Sequence, residues 1–188
     1  GLTLNKDKCK FYQKKVTFFG MSFSEQGIAP TEDRCRALKE VTEPVNAKDL
    51  RSFLCTVLWS SRFVKDLCRL SEPLWKLLRA GTEWKWTEVE RQAFKDVKES
   101  LTTKCMAYFN KDWDTELEVD AGPEGLGCVL RQINPNSKDF ERAYVSFRSR
   151  LYDNNERKMS QVEKEAQGCA WGPEVNWIYL MGKHFTLI

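Results

Sequence analysis

Histidine is almost missing from this 188-residue chain, which carries His184 alone. The seven cysteines (Cys9, Cys35, Cys55, Cys68, Cys105, Cys128 and Cys169) are odd in number and scattered, with no Cys-x-x-Cys spacing. Together these shortages exclude the usual zinc-ligand patterns and argue against a disulfide framework. Reduced thiols in an intracellular protein, cytoplasmic or nuclear, are the expectation. No apolar run is long enough to span a bilayer and no signal-peptide pattern is visible, so no membrane partner is expected. Internal repeats and low-complexity tracts are lacking too. Charge of one sign is scarcely in excess: the formal net charge is +3 and the pI about 8.4. That is too mild an imbalance to argue for nucleic acid on its own. The chain begins with Gly1 and not Met, which reads as a fragment or a processed product.

What is present is globular. Hydrophobic residues make up 41% and charged residues 30%, a balance that builds a core and excludes disorder. The length suits one domain or two small ones. Lys6, Lys8, Lys10, Lys14 and Lys15 face only Asp7 near the start, which makes either a solvated basic end or a phosphate-contacting edge. Short aromatic runs, Lys10-Phe11-Tyr12 and Val16-Thr17-Phe18-Phe19, with turns at Gly20 and Gly27, predict strands and a hairpin over about residues 16–29.

Helical signals follow. Glu32 and Asp33 behind Pro30-Thr31 open a helix through Lys39, with acids at its positive end. Asn46 can cap the next, whose stripe is Leu50, Phe53, Leu54, Val57 and Leu58. Ser71 starts a shorter one with Leu74, Leu77 and Leu78. Thr87-Glu88-Val89-Glu90 is a capping box for a helix bearing Val89, Ala93, Val97 and Leu101. Hinges are expected near Pro44 to Lys48 and from Tyr108 to Thr115. Beyond them three strands, Glu116–Asp120, Gly125–Gln132 and Arg142–Ser149, precede a helix from about Gln161 and a strand from His184. That order predicts an α/β sheet with an antiparallel start.

Carboxylates carry the chemical signal. Asp120 ends the extended run Leu117-Glu118-Val119-Asp120, and Glu163-Lys164-Glu165 leads into the later helix. Two-metal nucleases gather acids from separate strands and a helix around paired Mg²⁺ ions. The plain alternatives are a turn-capping Asp120 and a solvated Glu165.

In order and spacing, these segments resemble the downstream part of a gypsy-like LTR-retrotransposon (Metaviridae-type) reverse transcriptase. "VTFFGMSFSEQGIAP" resembles the family's primer-grip strand pair. "DLRSFL" with Arg62-Phe63 resembles the thumb helix, and "EPLWKLL" and "WKWTEVERQAFKDVKESL" resemble the connecting helices. "LEVDAGPEGLGCVLRQ", "EKEAQGCAW" and "LMGKHFTLI" resemble the opening strands, helix and next strand of a ribonuclease H domain. The implied fold is α+β: a small β-hairpin and helical thumb/connection over residues 1–109, then an incomplete ribonuclease H-like mixed sheet over 110–188.

The resemblance implies that Asp120 and Glu165 are catalytic carboxylates and ligands of Mg²⁺ or Mn²⁺, with Glu163 on a different helix face. It puts the family's next aspartate just past the strand that begins at His184, so this chain is expected to hold its ion weakly and to be inactive alone. No Tyr-x-Asp-Asp polymerase motif occurs. Phe19, Gly20 and Met21 are the implied primer-grip residues, with Met21 replacing a histidine. Lys48, Arg51 and Arg62 are candidate thumb contacts to duplex phosphates. Trp84 and Trp86 could stack on bases, or pack between helices. Cys55, Ser60 and Ser61 depart from the family pattern. Pro173 is expected to kink or end its helix near Gly172.

The implied partners are an RNA–DNA hybrid or other duplex and the remainder of the pol polyprotein, with no small-molecule substrate beyond nucleotides. A non-catalytic domesticated module that binds nucleic acid or a protein partner, or a decayed reading frame, is the alternative.

Overall fold

The computed structural model describes residues 3–6, 9, 11–101, 104–135 and 141–188. Asp7, Lys8 and Lys10 of the expected basic cluster lie outside the described residues, while Lys6, Lys14 and Lys15 are exposed. Phe11 and Tyr12 are not in a strand, and Tyr12 takes a φ of 54°. Pairing starts with β1 (Lys15–Phe18), β2 (Met21–Ser24) and β3 (Gly27–Pro30). The segment expected to form a single hairpin over about residues 16–29 is thus a three-stranded antiparallel sheet in the order β1-β2-β3.

A helical layer follows. Its members are α1 (Glu32–Glu40), α2 (Ala47–Leu58), α3 (Leu67–Lys76) and α4 (Glu88–Ser100). Asn46 caps α2 as expected, its side chain accepting from the Asp49 amide at 2.9 Å. Leu50, Phe53, Leu54 and Val57 are buried, but Leu58 is 40% exposed because the 3.6-residue repeat carries it off the stripe. The capping box of α4 is formed, with the Thr87 amide donating to Glu90 at 3.0 Å. Its buried face is Ala93, Phe94, Val97 and Leu101, while Val89 is 62% exposed. Val89 lies about 100° round the helix from the centre of that face.

The third helix starts four residues before the expected Ser71, whose hydroxyl donates back to the Leu67 carbonyl at 2.7 Å. A serine shortly before a proline reads as a helix start because proline suits a first turn; here Pro73 is interior. Phe53 and Phe94 meet at 4.6 Å between ring centroids, and Trp84 and Trp86 close the same core.

The larger sheet comprises β4 (Asp114–Ala121), β5 (Gly125–Ile133), β6 (Arg142–Leu151) and β7 (Thr186–Leu187), in the order β6-β5-β4-β7. The first three pair antiparallel, and β7 lies parallel to β4 with Leu117 opposite Leu187. One face is covered by α5 (Gln161–Val175) and α6 (Trp177–Leu180) around Leu117, Cys128, Leu130, Val145 and Leu180. The upstream helices reach the sheet elsewhere: the Cys68 amide donates to Ser149 Oγ at 3.2 Å, and Lys65 approaches Glu118 at 3.9 Å. Among the described residues no helix is long and apolar enough to cross a membrane.

The segment joining the two sheets is itself paired. Ile28 and Met106 exchange both backbone hydrogen bonds at 2.8 Å, and the Ala107 amide donates to the Tyr144 carbonyl at 2.8 Å. Fully buried Gln132 then clasps Asn110, accepting from its amide and donating to its carbonyl, both at 2.7 Å.

Pro173 does not end α5 at Gly172; the helix runs to Val175. Buried Asn176 caps the helix end: its side-chain amide donates to the Gly172 carbonyl at 2.9 Å, and its Oδ1 accepts from Ser146. The glycines of α5 bring it unusually close to β4. A methyl group on Gly168 would lie 2.9 Å from a Val119 methyl, and one on Gly172 would lie 2.7 Å from the other. Gly172→Ala is therefore expected to lower stability by about 1–3 kcal/mol through overpacking, outweighing alanine's helix propensity. Urea denaturation checks this, and an unchanged or raised midpoint refutes it.

Candidate functional site

Strand alternation decides which side chains of β4 are available. Leu117 and Val119 pack against α5, so Glu116, Glu118 and Asp120 fall on the other side. Arg131, opposite Glu116, takes both glutamates: its Nε donates to Glu116 at 2.7 Å and Nη1 to Glu118 at 2.6 Å. The guanidinium holds Glu116 below the usual carboxylate range. Asp120, last but one in the strand, is opposite Gly127 and has no such neighbour; it is exposed.

Glu165 is exposed near the start of α5. Ser160 caps that helix, and its amide and hydroxyl both donate to Glu163 at 2.8 Å. Glu163 is therefore a capping residue, in keeping with its different face, and those hydrogen bonds lower its pKa. Gln161, which no motif in the sequence marks, joins strand to helix. Its Nε2 donates to the Ala121 carbonyl at 2.9 Å and to Glu165 Oε1 at 3.1 Å. Glu165 is thus two hydrogen bonds from the residue after Asp120. The only hint in the sequence is the i,i+4 spacing of Gln161 and Glu165 on one helical face.

The donor chemistry of Asp120 and Glu165 fits a hard divalent cation, which Mg²⁺ sites commonly build from one or two carboxylates completed by water and substrate phosphates. Among the described residues no group of three or more His, Cys, Asp or Glu is arranged to hold a metal. Asp66 is a second unforeseen acid. Its Oδ1 lies 3.3 Å from where a side chain on Gly127 would begin, and it shares a small cavity with Asp120 and Arg69. Arg69 approaches Asp66 at 3.7 Å. Cys128 is no ligand candidate: burial pushes its thiol up to about 11, and Asn176 donates to its sulfur at 3.3 Å.

Below the site, Glu156 is the best-satisfied carboxylate. Arg150 grips both of its oxygens, at 2.7 and 2.8 Å, the Asp153 amide donates at 2.9 Å, and Gln167 of α5 donates as well. These donors hold Glu156 down at about 2. They also tie the end of β6 to α5.

The predicted nucleic-acid residues are spread along the upstream layer: Gly20 lies beside Trp59, just past the end of α2, whereas Lys48 and Arg51 are at that helix's start. Phe19 and Gly20 form the β1–β2 turn, with φ of 48° and 74°. Phe19 is 76% exposed and packs edge-on against Phe18, so these rings are not turned inward. Met21, half-buried, begins β2. Lys48 and Arg51 are exposed on the first turns of α2. Arg62 is only half-exposed and donates to the Val145 carbonyl at 3.4 Å, which commits one arm of its guanidinium to the sheet. Trp84 and Trp86 stack on each other at 5.8 Å, and Trp86 donates to Glu43 at 2.9 Å, so they pack between helices.

The family profile described as "RNase H-like domain found in reverse transcriptase" matches residues 86–187. The chain belongs to this family. It is 32% identical over 146 residues to the Transposon Tf2-3 and Tf2-4 polyproteins of Schizosaccharomyces pombe, a match that covers 77% of the chain and 11% of each polyprotein. The chain thus spans about a tenth of the length of these relatives. In fold it is similar to a foamy viral protease-reverse transcriptase solved with an RNA/DNA hybrid, with a TM-score of 0.77 and 19% identity, covering 96% of this chain and 24% of that one. The same viral protein solved with dsDNA gives a TM-score of 0.70 and 20% identity, covering 93% and 36%. These likenesses agree with the mixed α+β architecture: a retrotransposon-type, ribonuclease H-like region preceded by a small sheet and a helical layer.

Glu156 makes stability depend on acid. Its folded pKa of about 2 lies below its ordinary value of 4.5, so its contribution is complete above about pH 4.5 and is lost as pH falls towards 2. Glu156→Gln is expected to be less stable at pH 7 and to show a flatter loss between pH 4.5 and 2. Thermal melts across that range check it, and parallel profiles for the two proteins refute it.

Proposed function

We propose that residues 1–109 are the primer-grip, thumb and connection region, and residues 110–188 the N-terminal part of the ribonuclease H domain, of a gypsy-like, Metaviridae-type reverse transcriptase. The region grips an RNA–DNA duplex, and in the intact polyprotein its downstream half takes part in hydrolysing the RNA strand. The observation that carries this reading is the Gln161 bridge, which holds the helix bearing Glu165 against the strand end bearing Asp120. Asp120 and Glu165 would hold Mg²⁺ or Mn²⁺. A bound divalent ion supplies an activated water and charge neutralisation at the scissile phosphate. The chain's own part is to present Asp120 at an exposed strand end and to fix the helix that bears Glu165 against that end.

Phe19, Gly20 and Met21 offer an exposed aromatic turn to the growing strand, and Lys48 and Arg51 offer cations to phosphates. Arg62 contributes with the part of its guanidinium that the sheet leaves unbound. The viral protein of similar fold was solved with an RNA/DNA hybrid and with dsDNA, which supports a duplex as the partner. A second reading is a non-catalytic domesticated or decayed module that binds nucleic acid or a protein partner, in keeping with the lack, among the described residues, of a group of three or more His, Cys, Asp or Glu placed to hold a metal.

A labelled RNA–DNA hybrid with Mg²⁺ or Mn²⁺ tests both readings. The chain is expected to bind the hybrid, more weakly as salt rises, and to leave the RNA uncut. In the full-length polyprotein, cleavage is expected and is abolished by Asp120→Asn or Glu165→Gln. Cleavage by the polyprotein that survives both substitutions would remove the catalytic assignment, and absence of binding by the chain would remove the duplex-gripping one.

A further inference from the structure

A group of cations gathers where α3 meets the turn before α5. At its centre is Glu72 of α3, only 4% exposed. Lys76 Nζ approaches Glu72 Oε2 at 2.8 Å, whereas Arg79 and Arg157 approach Oε1 at 3.7 and 3.9 Å. Those two contacts are too long for hydrogen bonds, and Glu72 Oε1 is buried with no hydrogen-bond partner. Arg157 also pairs with Glu124, whose carboxylate lies beside Glu72. Arg51 projects from α2 into the same place and has no ion pair among the described residues. An open cavity of about 410 Å³ lies beside this group, lined by Arg51, Arg79 and Arg157 together with Trp75, Tyr152 and the leucines Leu78 and Leu151.

Arg51, Arg79 and Arg157 line the cavity, and the carboxylates paired with the last two are Glu72 and Glu124. Tyr152 is 4% exposed, and its buried hydroxyl has no hydrogen-bond partner. The Tyr152 amide donates to the Glu124 carbonyl at 3.0 Å, in the turn that follows β4, so the cavity lies close to the strand end that bears Asp120. Ion pairing alone would not gather more arginine than acid around an open cavity. Excess guanidinium beside a half-exposed tryptophan is the pattern that takes a phosphodiester.

We propose that this junction is a phosphate seat: Arg51 and Arg79, with Arg157 behind them, bind a backbone phosphate of the duplex on its way from the helical layer to Asp120 and Glu165. The inference rests on the duplex-gripping reading above and adds the place where the two halves of the chain share one strand. Arg157 ties the turn before α5 to Glu72 and Glu124, so the test uses the exposed Arg51 and Arg79.

The full chain is titrated onto a labelled RNA–DNA hybrid at several salt concentrations, as wild type, Arg51→Ala, Arg79→Ala, the double variant and Arg79→Lys. Lys95→Ala, on the far part of α4, removes the same charge away from the cavity. The slope of log affinity against log salt is expected to fall by about 1 for each phosphate that a variant no longer neutralises. The double variant should bind about tenfold or more weakly at low salt, Arg79→Lys should keep most of the slope, and Lys95→Ala should leave it unchanged. Thermal melts establish that each variant is folded. If the wild type binds and the arginine variants match it, or match Lys95→Ala, the phosphate seat is overturned while duplex binding stands. If the wild type does not bind, both are overturned.

Discussion

The packing of one helix against one strand governs the rest of the downstream half. Gly168 and Gly172 stand one turn apart on the same face of α5, and Val119 of β4 fills the space their missing side chains leave. This contact sets the height of the helix above the sheet. At that height Gln161, seven residues before Gly168, reaches the Ala121 carbonyl and Glu165 together. It also brings Asn176 within reach of Ser146 and Cys128. A helix lifted by a methyl group would loosen each of these in turn, because close-packed interiors give little room for compensation.

Local signals were legible in the sequence wherever a residue's role depended on its near neighbours. Asn46 and the Thr87 capping box acted as their spacing implied, and the acid-bearing strand and helix fell in the expected places. Legibility failed where a distant partner decided the outcome. Val89 and Leu58 look like core on an apolar count and are exposed, because the face that matters is fixed by what packs against the helix. Pro173 looks like a terminator, yet the helix runs on to Val175 and is capped by Asn176. Gln161, Asp66 and the arginines around Glu72 gave no pattern, since they are brought together only by the packing of separate elements.

Charge is organised in the same long-range way. The chain is nearly balanced as a whole, yet locally it separates its signs. Arg131 and Arg150 are spent on Glu116, Glu118 and Glu156, and these pairs brace the sheet and its link to α5. Among the described residues Asp120, Glu165, Lys48 and Arg51 have no such ion pairs. The weak net charge therefore conceals an arrangement in which structural acids are neutralised and the exposed groups of either sign remain available.

The segment between the two sheets has a further consequence. A connection paired to β3 on one side, to β6 on the other and clasped by Gln132 is not a tether but a shared edge. Opening the small sheet withdraws partners from the backbone of the large one, so the two halves are coupled in the unfolding equilibrium. Strain applied at the aromatic turn of Phe19 has a mechanical route to the strands that hold Asp120.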